Sequence, residues 1–150
     1  MAAIASTMLS TKKFPVGITH LTLRISNPRE PSRGFEQKLI VDTGALYSIV
    51  PATRLAEIGI EPDRSHTFEL ADGRRVQREV GGALYEFEGI RAPAPIVFGK
   101  RTDAAVLGAV TLEALGFDLD PLRHAIRPIK SMLLCARGIF RSRRAAPTGT

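Results

Sequence analysis

The sequence predicts a mostly β domain with one or two short helices. Three observations predict it. Short segments of alternating or β-branched residues run from Val16 to Ile129. Gly, Pro and Asp punctuate them at the intervals that turns require. At 150 residues, 44% hydrophobic and 24% charged, the chain has the balance of a soluble globular domain and room for one core, not for two lobes with a cleft between them.

Strands are expected at Ile18–Ser26, Phe35–Val41, Tyr47–Val50, Thr67–Leu70, Arg75–Val80, Leu84–Glu88 and Pro95–Phe98, then at Ala105–Leu107, Phe117–Leu119 and His124–Ile129. Asn27 to Gly34, with two prolines and two arginines, is expected to be a surface connection clear of the core. Pro51 to Gly59 is expected to form one short helix, since Pro suits the first helical position and Gly the left-handed position past the end. Val110–Leu115, closed by Gly116, is expected to form a second. Asp72-Gly73 signals a two-residue type I′ hairpin, and Gly81-Gly82 signals a bulge or bend in the returning strand.

The net charge of +6 is unevenly placed. Seven of the 21 basic residues and no acid fall in 121–150, which leaves 14 basic against 15 acidic residues in 1–120. The expected organisation is an N-terminal extension (1–14), a folded domain (15–130) and a basic tail (131–150) that is solvated or makes weak contact with an acidic surface. No clear nucleic-acid signal accompanies it. Met1 to Thr11 lacks the basic start and apolar run of a signal peptide, so the cytoplasm is the expected location. Cys135 is the only cysteine, and it and the three histidines have no metal-site spacing, so no disulfide, metal or cofactor is expected.

One segment carries chemistry. Leu39-Ile40-Val41 leads straight into Asp42, Thr43, Gly44 and Ala45, so that a carboxylate follows an apolar strand. Taken alone, Asp42 also fits an ordinary Asx turn. Ser48 has no His and acid at nucleophile spacing, and no phosphate-binding glycine loop is present.

The string Asp42-Thr-Gly-Ala-Leu-Tyr-Ser-Ile-Val50 resembles the active-site loop of the retropepsin-like aspartic peptidases, in which Asp-Thr-Gly-Ala is followed by Ser or Thr and two aliphatics. Val106-Leu107-Gly108 is similar to the second hallmark of that family, and the short helix and Gly116 follow in the family's order. The resemblance spans roughly Val16 to Ile129 and is nearer to the cellular and bacterial branch. Viral members usually have an Asp shortly before the Ser/Thr and an Arg after the second glycine, where this chain has Tyr47 and Ala109.

The resemblance implies a closed barrel-like fold with one lobe per chain, and an aspartic endopeptidase that works as a homodimer on a peptide or protein substrate. Asp42, Thr43 and Gly44 would form the catalytic loop, one from each chain, while Ala45 and a flap hairpin at Asp72 and Gly73 would bind substrate. Phe68, Leu70 and Val76 fit either substrate pockets or core. The rival implication is a catalytically silent module that keeps the fold for binding or dimerisation.

Overall fold

The computed structural model describes residues 19–129. The expected N-terminal extension and basic tail lie outside the described residues, as does Ile18. In chain order the elements are β1 (His20–Asn27), β2 (Glu30–Val41), β3 (Ser48–Pro51), α1 (Ala52–Glu57), β4 (Arg64–Glu69), β5 (Arg75–Phe87) and β6 (Ile90–Gly99), followed by β7 (Val106–Leu107), α2 (Ala109–Ala114), β8 (Phe117–Asp120) and β9 (Ala125–Pro128).

The alternation in β1 does what period 2 dictates. Leu21, Leu23 and Ile25 turn inward and are buried, while His20, Thr22 and Arg24 keep some exposure. The seven-stranded sheet has the order β1-β2-β7-β3-β6-β5-β4, and a second pairing of β1 with β5 closes it into a ring that leaves β4 outside. The barrel encloses Leu23, Ile25, Leu39, Val50, Ile96 and Leu107, each at most 1% exposed, and each contributing about 2 kcal/mol relative to exposure. Phe87 meets Phe117 edge to face at 5.7 Å and ties the separate β8–β9 hairpin to the barrel.

Most pairs are antiparallel, and the parallel ones position the site. β7 lies parallel to β2 with Ile40 opposite Val106 and Val41 opposite Leu107. The two sequence motifs, more than 60 residues apart in the chain, therefore end side by side at one rim of the barrel.

Four local expectations are corrected. Gly81-Gly82 makes no bulge: β5 runs unbroken from Arg75 to Phe87 in regular register with β6. A side chain at Gly81 would stand 2.9 Å from the Glu61 carbonyl oxygen, so the glycine serves close approach. The Asp72-Gly73 turn is not type I′, because only Gly73 has positive φ (83°). Gly73 N donates to Leu70 O at 2.9 Å and Leu70 N to Arg74 O at 2.7 Å, which is the three-residue loop with a left-handed glycine at its end.

The Asn27–Gly34 connection is only a turn at Pro28-Arg29, with β2 beginning at Glu30. Asn27 is buried and its Nδ2 donates to Ile58 O at 3.0 Å, so this segment does touch the core. Finally, Pro51 ends β3 and precedes α1 as its N-cap instead of occupying the first helical position. Gly59 and Gly116 take positive φ just past their helices, as expected.

Candidate active site

β2 ends at Val41, and the next residue leaves the sheet while still tied to β7: Asp42 N donates to Leu107 O at 3.0 Å. The chain then turns on itself. Ala45 N donates to Asp42 O at 3.1 Å, and Gly44 N to Asp42 Oδ1 at 2.9 Å, which aims the carboxylate along its own loop. Asp42, Thr43 and Gly44 are all exposed. An acid at the end of an apolar strand is tolerated here because the strand delivers it to the rim, where water solvates it.

The loop is held from below by the second motif. Ala109 N donates to Ala45 O at 2.9 Å and Val110 N to Leu46 O at 3.1 Å, so the start of α2 grips the loop's carbonyls. Gly108 makes this contact possible, since a Cβ there would lie 2.5 Å from the Tyr47 carbonyl carbon and 2.8 Å from Leu46 O. Beneath the loop, the Ser48 hydroxyl accepts from Gly108 N at 3.0 Å and shares a hydrogen bond with the Thr111 hydroxyl at 2.7 Å. Both hydroxyls are fully buried. Tyr85, also fully buried, donates its hydroxyl to Pro95 O at 3.0 Å. Burial pushes its pKa well up, against the smaller opposing effect of the Thr111 and Ser48 hydroxyls, so it stays a neutral donor.

The β4–β5 hairpin reaches over this loop. Tyr47 touches Phe68 edge to face at 6.1 Å and His66 at 6.5 Å, and His66 lies 4.6 Å from Phe68. His66, which the sequence left isolated, thus belongs to an aromatic contact between hairpin and loop. Between them is a cavity of about 250 Å³, walled by Gly44, Ala45, Leu46, Tyr47 and Ile49 from below and by Phe68, Leu70 and Val76 from above. Phe68, Leu70 and Val76 therefore face the cleft, and none of them is fully buried.

The hairpin tip stands apart from that cavity. Asp72 and Gly73 are exposed and do not line it. Asp72 accepts from Arg74 N at 3.0 Å and Arg74 Nε at 2.7 Å. Those two hydrogen bonds, the backbone one first, hold its carboxyl below the usual carboxylate range.

At the other end of the cavity, Arg78 on β5 meets Asp103 in the β6–β7 connection through two hydrogen bonds, Nε to Oδ2 at 2.8 Å and Nη2 to Oδ1 at 3.0 Å. Lys100 N adds a third donor to Oδ2 at 2.8 Å. The Arg78 hydrogen bond is the chief cause that holds the Asp103 carboxyl below its ordinary range, and the same bond raises Arg78. No local sequence pattern signals this pair, since its members lie 25 positions apart. The Ser48–Thr111 pair is equally silent in sequence, because Thr111 sits in an unremarkable helix. Among the described residues no group of three or more His, Cys, Asp or Glu could hold a metal ion.

No family model matches the sequence, and no curated protein does. Solved structures do match. The EIAV protease complexed with the inhibitor HBY-793 superposes with a TM-score of 0.51 at 15% identity, over 73% of this chain and 99% of the other. The simian foamy virus (mac) protease gives 0.44 at 18% identity, over 63% of this chain and 92% of that one. A retropepsin-like aspartic protease from Rickettsia conorii gives 0.44 at 20% identity, over 77% and 93%. The fold is retropepsin-like, with its ring-shaped sheet and two short helices.

Proposed function

We propose that this chain is an aspartic endopeptidase whose active site is completed by a second copy of itself. One observation carries the proposal: on a retropepsin-like frame, the Asp42-Thr43-Gly44 loop is locked onto Val106-Leu107-Gly108 and presents an exposed carboxylate beside an apolar cleft. A single chain supplies one such acid. Leu46, next to the loop, is 54% exposed, an apolar surface of the kind that a second subunit covers.

Two Asp42 carboxylates brought together across a two-fold axis cannot both ionise cheaply, so they share one proton. The ionised member takes a proton from a water, whose oxygen attacks the scissile carbonyl carbon. The protonated member gives its hydrogen to the carbonyl oxygen, forming a tetrahedral diol. Return of a proton to the amide nitrogen breaks the C–N bond and releases an acid and an amine. Gly44 keeps side-chain bulk away from the carboxylates, and Thr43 offers a hydroxyl for hydrogen bonds across the two loops. The β4–β5 hairpin would cover an extended peptide, with Ala45 below it and the tip at Asp72 and Gly73 above.

Asp42→Asn tests this reading. The amide is nearly isosteric but cannot take the water's proton, so turnover of a denatured protein substrate should vanish while folding and dimerisation persist. Undiminished proteolysis by that variant would sink the proposal. A wild-type protein that dimerises and binds peptide without cleaving it would establish the silent binding module instead.

A further inference from the structure

We propose that the Arg78–Asp103 ion pair is the specificity wall of this cleft, restricting the cavity beside Ala45 and Tyr47 to one uncharged, apolar side chain of the substrate. The inference rests on the peptidase reading above and deepens it by naming what the cavity accepts.

The pair lines two cavities at once. One is the space of about 250 Å³ beside Gly44. The other, of about 760 Å³, is bounded by residues such as Ser65, Gln77, Phe98 and Lys100. Arg78 and Asp103 are common to both linings, so their side chains form the partition. The smaller space has room for one side chain of leucine or phenylalanine size, and its other walls, apart from the exposed Glu69, carry no charge.

The partition also offers no unbalanced charge to a substrate ion. Asp103 receives three donors, and Arg78 commits Nε and Nη2 to Asp103 and Nη1 to Gln77 O at 3.0 Å. With side chains only 12% and 21% exposed, the two charges are spent on one another. A glutamate entering the cavity would lose its hydration and gain no partner, and a lysine would meet only the exposed, hydrated Glu69. Stability alone gives no reason for an ion pair at this place, because apolar side chains of the same volume serve as well or better. A wall that is polar yet neutral has a different property: deleting one charge turns it into a receptor for the missing one.

The test uses the full-length chain and a short unstructured peptide in which each position in turn carries Leu, Glu or Lys. kcat/KM is measured for the wild type, Asp103→Asn and Arg78→Met, and affinity for the same peptides is measured in the Asp42→Asn background. The wild type should prefer Leu at one position. There, Asp103→Asn should raise the Glu-to-Leu ratio by about tenfold, and Arg78→Met should raise the Lys-to-Leu ratio by a similar factor. The exchange Arg78→Asp with Asp103→Arg should restore the preference for Leu, and either single variant decides the matter if the other fails to fold. Unchanged ratios in an actively cleaving enzyme overturn the wall and leave the peptidase reading standing. Ratios that shift in binding while no wild-type cleavage occurs overturn the peptidase reading and leave the wall.

Discussion

The loop that carries Asp42 and the hairpin that covers it are built on opposite plans. The loop sits on buried support, with Leu107 and the Ser48 and Thr111 hydroxyls at 0% exposure and backbone hydrogen bonds from Ala109 and Val110. In the hairpin, β4 is the one strand of the main sheet outside the ring, and it has no buried residue. The hairpin meets the loop through the Tyr47, His66 and Phe68 rings and meets the β6–β7 connection through the Arg78–Asp103 pair. The contrast teaches a division of labour: the carboxylate is fixed by packing that cannot shift without loss, whereas its cover is attached by contacts that can break and re-form.

Two glycines sharpen the comparison, because each region uses its glycine for a different physical reason. Gly108 has an ordinary φ, and its constraint is space: a methyl group would press on the Tyr47 and Leu46 backbone. Gly108→Ala should therefore be the most damaging of these changes, destabilising by about 3 kcal/mol in urea unfolding and displacing the loop. Equal stability for the variant would show that the loop is not rigidly backed. Next comes Thr111→Val, which leaves the buried Ser48 hydroxyl with Gly108 N alone and should cost about 2 kcal/mol. The matched change Thr67→Val on exposed β4 should stay within about 0.5 kcal/mol of zero, and a comparable loss there would erase the contrast.

Asp103→Asn should have a smaller effect, about 1.5 kcal/mol at neutral pH, and one that depends on pH. Its folded-state carboxyl is held below the unfolded value of ~3.9. The stabilisation is thus fully present above that value and is lost as pH falls through the lower, folded one. Wild type and variant should converge in thermal stability in acid, and a gap that persists there would remove the ion pair as its cause. A smaller loss than at Asp103 is expected at Gly73→Ala, where nothing lies within 4 Å of the added carbon and only the left-handed φ of 83° is strained. About 1 kcal/mol is the expected result in urea unfolding.

The same division marks what the sequence made legible. The fixed region was readable because its signals are local and chemical: the apolar run into Asp42-Thr43-Gly44, the Val106-Leu107-Gly108 ending, and helices closed by Gly59 and Gly116. The cover was read in outline but not in contact. Asp72-Gly73 marked a turn, yet the turn has three residues, because Leu70 N donates to Arg74 O while Leu70 O accepts from Gly73 N. The true two-residue turn, at Glu88-Gly89 with φ of 50° and 78°, went unread because glutamate is a poor signal for a left-handed position.

β6 begins at Ile90, ahead of the expected Pro95, and carries both Pro93 and Pro95. Both lie in the stretch that pairs with β5 before β3 joins on the other side at Ile96, where a missing N–H is tolerated. The Arg78–Asp103 and Ser48–Thr111 pairs join residues distant in sequence, and their partners are set by strand register, which no local pattern encodes.

The central claim is that one chain holds half of a catalytic pair. Initial rate against total protein concentration, with sedimentation of the same samples, tests it most directly. Below the dimer dissociation constant the rate should rise with the square of concentration, and above it the rate should become linear, because a monomer has only one Asp42 to hold the attacking water. A rate that stays strictly linear through a range where sedimentation finds only monomer would contradict the two-chain active site.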